Sequence, residues 1–201
     1  MSNIPFAGQP LAVLLDAVAG RALREINALP AGGIDADPDL SDSERAARIL
    51  GRHTPTQPAF NWDARTVTAR ETSGPFMEFV PSLGEPIRAE HGIEATARVP
   101  FTGDARLAIA RPSRRELGWY AGDATVVGQT GGGSLAITFR AQHLHADRIE
   151  HGMTELREHV ETHATFAAAQ IEEWRAHVIP QLADALSDRR ARLANLTELH
   201  P

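Results

Sequence analysis

Four histidines pair at spacings that could do chemistry. His143 and His145 would share one face of a strand, and His159 and His163 would share one face of a helix four residues apart. Both spacings can chelate zinc. The metalloprotease order His-Glu-x-x-His is absent, since Glu158 precedes His159 and no glutamate directly follows it. We therefore predict a solvated face rich in Glu and His, with no metal or other cofactor, and keep a small metal-dependent hydrolase as the alternative.

The composition removes several other kinds of catalysis. The chain has 201 residues, and its 20 basic side chains are all arginine, so it contains no lysine. It also contains no cysteine. A phosphate-loop lysine, a Schiff-base lysine and a thiol nucleophile are thereby excluded. The serine-hydrolase pattern Gly-x-Ser-x-Gly does not occur either. We predict that the chain is not an enzyme.

A loop in the middle of the chain could bind a ligand. Gly103 can adopt a positive φ, and Asp104 can hydrogen-bond its own backbone, so turn formation is the preferred interpretation. Ligand contact is the alternative. The candidate residues for it are Gly103, Asp104, Arg111, Ser113, Arg114 and Arg115.

Arginines also cluster near the C-terminus, at Arg189, Arg190 and Arg192. Together with the loop arginines they could contact phosphates, which makes a nucleic-acid-binding accessory domain a further alternative. The formal net charge of −6 argues against it. Nucleic acid is therefore possible as a partner but not favoured.

The periodicity of apolar residues predicts an α+β fold in a single domain over residues 1–201. Residues 1–55 show two helical segments, and residues 60–141 alternate with the period of strands. The connections between these strands are too short for crossover helices, so we expect an antiparallel meander. Residues 146–199 return to the helical period as a long arm, with a break expected near Pro180.

The helical arm carries more apolar residues than one modest sheet can cover. We expect Ile171, Trp174, Val178 and Leu182 to lie at a seam with another helix. A second copy of the arm would give a homodimer, and we favour this assembly or a protein partner through the C-terminal helices. The N-terminal helix, closing a bundle within the chain, is the alternative.

The middle and end of the chain resemble a group of uncharacterised bacterial proteins. The matching segments are Val99–Asp104, Arg111–Ser113, Trp174, Pro180–Leu182 and Arg189–Leu193. In longer members of the group, a restriction-endonuclease-like domain with an Asp…Glu-x-Lys site follows this region. The resemblance implies an accessory region that ends about where the linker to that domain would begin. No catalytic residue carries over, because a chain without lysine cannot supply the nuclease lysine.

These observations lead to one leading expectation of function. We expect a non-catalytic binding or assembly module, with the meander as a recognition platform. By resemblance, it would be a sensor or accessory part of a bacterial nuclease-linked or antiviral defence system. Because the sequence has neither a basic segment followed by an apolar run nor a stretch long enough for a membrane helix, we expect a cytoplasmic protein without membrane contact.

Overall fold

The computed structural model describes residues 4–34, 39–80, 85–114 and 123–199. It confirms the α+β class, with helices at both ends of the chain and an antiparallel sheet between them. In chain order the elements are α1 (Leu11–Ala28), α2 (Ala31–Ile34), α3 (Asp42–His53), β1 (Ala59–Phe60), a 3₁₀ turn (Trp62–Ala64), β2 (Thr66–Val80), β3 (Glu85–Thr102), α4 (Ala105–Ile109), β4 (Asp123–Gln129), β5 (Gly132–Ala141) and α5 (Ala146–Leu199).

The chain, predicted as one domain, divides into two compact units. The sheet unit comprises Met1–Gln9 and Pro55–Phe166, and the helical unit comprises Pro10–Thr54 and Ala167–Pro201. Helix α5 contributes its first part to the sheet unit and the rest to the helical unit.

The sheet unit is built around β3, which pairs with β5 on one side and with β1 and β2 on the other. Strand β4 pairs with the far side of β5, and all pairings are antiparallel. Because alternate residues of a strand point to opposite faces, one face carries small and aliphatic residues such as Ala97, Val99 and Ile137, all fully buried. Met153 and Leu156 of α5 pack on this face, together with residues of α4.

The helical unit forms because α1 presents one apolar stripe. Its buried residues include Val18, Ala22 and Ile26, whereas Leu23 is 41% exposed and lies outside the stripe. Ser41 is the N-cap of α3 and forms a capping box with Glu44, and the Ser-x-x-Glu spacing in the sequence indicates this cap. Residues of α1 and α3 share a core with the second part of α5.

The break expected near Pro180 is not found, because α5 runs continuously through that residue. Proline lacks the N–H that would bond to the carbonyl four residues earlier. That carbonyl belongs to Ala176, and both Pro180 and Ala176 are exposed. Water can therefore satisfy the freed carbonyl, which makes an internal proline tolerable here.

The described helices include no stretch that is both long and apolar enough to cross a membrane.

Candidate binding surfaces

The Gly103–Asp104 loop is a tight turn, as the preferred interpretation held. Gly103 has a φ of +95°, and a Cβ there would lie 2.3 Å from the Gln57 carbonyl oxygen. The buried Asp104 side chain accepts a hydrogen bond from the Arg106 amide at 2.9 Å and begins α4. Asp104 also forms an ion pair with the Arg106 guanidinium at 2.6 Å, which raises the pKa of that arginine. These contacts give both residues a structural role.

The arginines that follow this turn engage different neighbours. The Arg111 amide donates to the Gln9 carbonyl at 2.9 Å. The Arg114 guanidinium lies over the Phe166 ring, 4.7 Å from its centroid, while Ser113 is exposed nearby in the chain. Arg115 lies outside the described residues. The described arginines of the predicted loop cluster therefore contact different neighbours and do not converge on one site.

The C-terminal arginines contact the helical unit itself. Arg189 donates to the Leu29 carbonyl at the end of α1, at 3.0 and 3.2 Å. Arg190 and Asp42 form a two-bond ion pair, and Arg192 donates to the Asn27 side chain. The hydrogen bond from Arg190 lowers the pKa of Asp42. These guanidinium groups thus join helices of the helical unit.

The four predicted seam residues pack within the chain. Ile171 and Leu182 are buried, and Trp174 and Val178 are partly buried against the core that α1 and α3 share with α5. This is the arrangement of the intramolecular alternative. The homodimer through this seam stays a prediction.

The first histidine pair does not form as expected. Strand β5 ends at Ala141, so His143 and His145 lie in the connection to α5 and not on a strand. The His145 carbonyl accepts from the Arg148 amide in the first turn of α5. His143 instead lines a cleft of about 800 Å³ beyond the end of β5, together with Glu71, Ser73 and His91 of β2 and β3.

The second pair forms on α5, with the His159 and His163 ring centroids 4.1 Å apart. His163 is only 3% exposed, and its Nδ1 lies 2.9 Å from the His159 carbonyl oxygen. The Phe6 ring stacks on His163 at 5.6 Å between centroids. Burial, with a smaller contribution from His163, lowers the pKa of His159 to about 4. Across the described residues, no three His, Asp or Glu side chains are grouped so that they could hold a metal ion.

The outer face of the sheet holds a surface that the sequence analysis missed. Glu94 on β3 accepts hydrogen bonds from Arg70 on β2, at 2.6 and 2.9 Å, and from Arg140 on β5, at 2.7 Å. The hydrogen bond from Arg140, followed by those from Arg70, lowers the pKa of Glu94. We call these three residues the Arg–Glu–Arg triad.

Hydroxyl groups surround the triad on the same face. Thr68, Thr96 and Thr138 lie in one row across β2, β3 and β5. The Thr96 and Thr138 hydroxyls are 3.1 Å apart. Arg98, two residues after Thr96 on β3, is exposed and forms no ion pair with any described residue. The alternation Glu94-x-Thr96-x-Arg98 within a predicted strand is the sequence signal that could have revealed this face.

No family model matches the chain, and neither a curated protein nor a solved structure shows significant similarity to it. The bacterial resemblance noted from the sequence therefore stays a prediction.

Proposed function

We propose that this chain is a non-catalytic binding module whose protein partner docks an acidic segment on the outer face of the sheet. The observation that supports it is the Arg–Glu–Arg triad, which fixes two guanidinium groups at the middle of a solvent-exposed face. Arg70 is 76% exposed and Arg140 is 47% exposed, although both are held by Glu94. Side chains that are already ordered lose less conformational entropy when a partner binds.

The charges on this face favour an acidic partner. Glu94 is shared by two arginines, and Arg98 adds a third guanidinium on the same face, four residues further along β3. Arginine forks match carboxylates in two-bond geometry. Threonine hydroxyls in the neighbouring row can donate to the same oxygens. Asp123 of β4, which is exposed opposite Thr138, is a second carboxylate on this face. The rows from Glu94 to Arg98 therefore carry three guanidinium groups and two carboxylates, a net positive charge in a protein whose net charge is −6.

A protein fits this face better than single-stranded nucleic acid does. Proteins that bind single strands stack the bases on aromatic side chains. The outward positions of β3 from Glu94 to Pro100 and of β5 from Ser134 to Arg140 include no aromatic residue. The partner would belong to the nuclease-linked or defence system that the bacterial resemblance implies, with this chain as its accessory or sensor part.

The test is co-purification with the proteins encoded by the flanking genes, using wild type and Arg98→Glu. We expect a complex with wild type that is lost in Arg98→Glu, because the new carboxylate repels the acidic partner. Arg24→Glu is the matched control, since Arg24 is an exposed arginine on α1 and should leave the complex intact. Equal binding by Arg98→Glu would contradict the proposal. The proposal would also be contradicted if wild type and Arg24→Glu bound DNA in a salt-dependent manner and Arg98→Glu did not, because nucleic acid would then be the partner.

A further inference from the structure

The strand β2 has one long side that no described segment covers. Among the described strands it pairs with β3 alone, and residues 66–73 pair in unbroken register with residues 91–98 of β3. The register shifts only after Ser73. Alternate N–H and C=O groups of an outermost strand point away from its neighbour and can pair with another chain. We call the unpaired side of residues 66–73 the β2 edge.

The side chains leave the β2 edge accessible from both faces of the sheet. Residues 66–71 are all exposed. On the inner face, Val67 is 46% exposed although its partner Ala97 on β3 is fully buried, so the core does not extend over β2 there. Further along β2, Glu71 and Ser73 line the cleft described above. An extended segment can therefore reach the edge without displacing any described part of the fold.

Charges on the outer face distinguish the two long edges of the sheet. Arg70 of β2 donates to Glu94 through Nε and Nη2, whereas its Nη1 has no described partner. Arg98 lies opposite Thr66 and adds positive charge near the start of the β2 edge. The other long edge strand, β4, carries the exposed Asp123. Because like charges on paired strands repel, an acidic segment fits the β2 edge and not the β4 edge.

We propose that the acidic segment of the partner binds as an additional antiparallel strand along the β2 edge. This inference rests on the proposed function and gives the segment a conformation and a position. Main-chain hydrogen bonds to residues 66–73 hold the segment, and its side chains alternate between the two faces. Acidic side chains on the outer face lie beside Thr68 and Arg70. On the inner face, an apolar residue fits beside Val67 and a basic residue beside Glu71.

A peptide with this alternation tests the proposal. The peptide Thr-Thr-Arg-Glu-Val-Glu-Val-Glu, with blocked ends, places its glutamates opposite Thr66, Thr68 and Arg70 when it pairs antiparallel. Its arginine then lies opposite Glu71. The amides of residues 66–73 that exchange fast in the free chain should gain about tenfold or more protection from hydrogen exchange at saturating peptide. Amides on the free side of β4 are the control within the same sheet and should not change.

Methylation of the peptide's own amides separates strand addition from charge attraction. Two versions carry N-methyl groups at alternate residues, one at the odd and one at the even positions, so both keep the charges of the parent peptide. Only one of these two sets of amides faces β2 in the pair. That version should bind about tenfold or more weakly in an NMR titration, because each methyl group removes a main-chain hydrogen bond. The other version is the matched control and should bind like the parent.

The proposal is overturned if the parent peptide does not bind, or if both methylated versions bind like the parent. In the second case, acidic side chains contact the outer face without an added strand, and the proposed function stands. The proposal is also overturned if the β2 edge gains protection as the concentration of the chain alone rises, because a second copy then occupies it. If a peptide with lysine for each glutamate binds equally well and with the same dependence on methylation, a strand does add here, but the acidic partner of the proposed function is wrong.

Discussion

At the scale of single residues, Gly103 and Asp104 fix the entry to α4 through contacts that leave no room for another side chain. Gly103 approaches the Gln57 backbone with a positive φ, while Asp104 accepts from the amide two residues later. Asp104 is only 2% exposed, and its carboxylate both pairs with the Arg106 guanidinium and caps the N-terminus of α4. A ligand at this turn would have to compete with both.

Gly103→Ala should destabilise the sheet unit by roughly 2–4 kcal/mol, because the added methyl group combines an unfavourable φ with a clash against backbone. Chemical denaturation measures the change. Gly131→Ala is the control in the same unit, since a Cβ there meets no atom within 4 Å and its φ is ordinary. We expect it to be within about 0.5 kcal/mol of wild type. An unchanged midpoint for Gly103→Ala, with loss of partner binding, would return this turn to the ligand-binding alternative.

Residue-scale features were predictable from sequence where the interaction is local. The Gly103–Asp104 turn and the Ser41 capping box each lie within four residues of chain, and both are found. The contact between Arg114 and Phe166, and that between Phe6 and His163, join distant segments. No spacing rule encodes such pairs, because they depend on how complete elements pack.

At the scale of elements, alternate residues of each strand divide the sheet into a face that packs in the core and a face that is exposed to solvent. Odd-numbered residues of β3 from Ala95 to Phe101 are buried in the core, and even-numbered residues from Glu94 to Pro100 form the outer face. The alternation of apolar and polar residues predicted these strands, but it did not indicate which of the polar residues interact with one another. The triad arises only when β2, β3 and β5 come into register.

Glu94→Gln should lower the denaturation midpoint near neutral pH, because the neutral amide is a poorer partner for Arg70 and Arg140. The folded-state pKa of Glu94 lies below its ordinary value of 4.5, so the carboxylate stabilises the fold above that pH. Its contribution fades as the pH falls below 4.5. Wild type should therefore lose stability on acidification through this range more steeply than Glu94→Gln.

The control for this experiment is Glu90→Gln, which changes an exposed glutamate two outward positions away on β3. Its midpoint and acid dependence should follow wild type. If wild type, Glu94→Gln and Glu90→Gln had the same denaturation midpoints at every pH, the triad would add nothing to stability. The proposal that Glu94 orders Arg70 and Arg140 would then lose its support.

At the scale of the whole molecule, the sequence left open which surface covers the apolar stripe of the helical arm. Periodicity correctly indicated a long apolar stripe on α5, but it cannot say which surface covers the stripe. In the structure, Val18, Ala22 and Ile26 of α1 share a core with Leu182 and Leu186 of α5. Within the helical unit α1 packs on the second part of the arm, and within the sheet unit the first part packs on the sheet.

Leu182→Ala measures how much of the stripe is used within one chain. The side chain is only 4% exposed, so its truncation should cost roughly 2–5 kcal/mol and lower the Tm. If the seam is intramolecular, the Tm of wild type stays constant over about a hundredfold range of protein concentration, because no association is linked to folding. Light scattering should give the same mass for wild type and Leu182→Ala.

Leu196→Ala is the control, on the same helix but at a 51% exposed position, and it should change stability by less than about 0.5 kcal/mol. A Tm that rises with concentration, together with a mass that halves in Leu182→Ala, would assign the seam to a second copy of the chain.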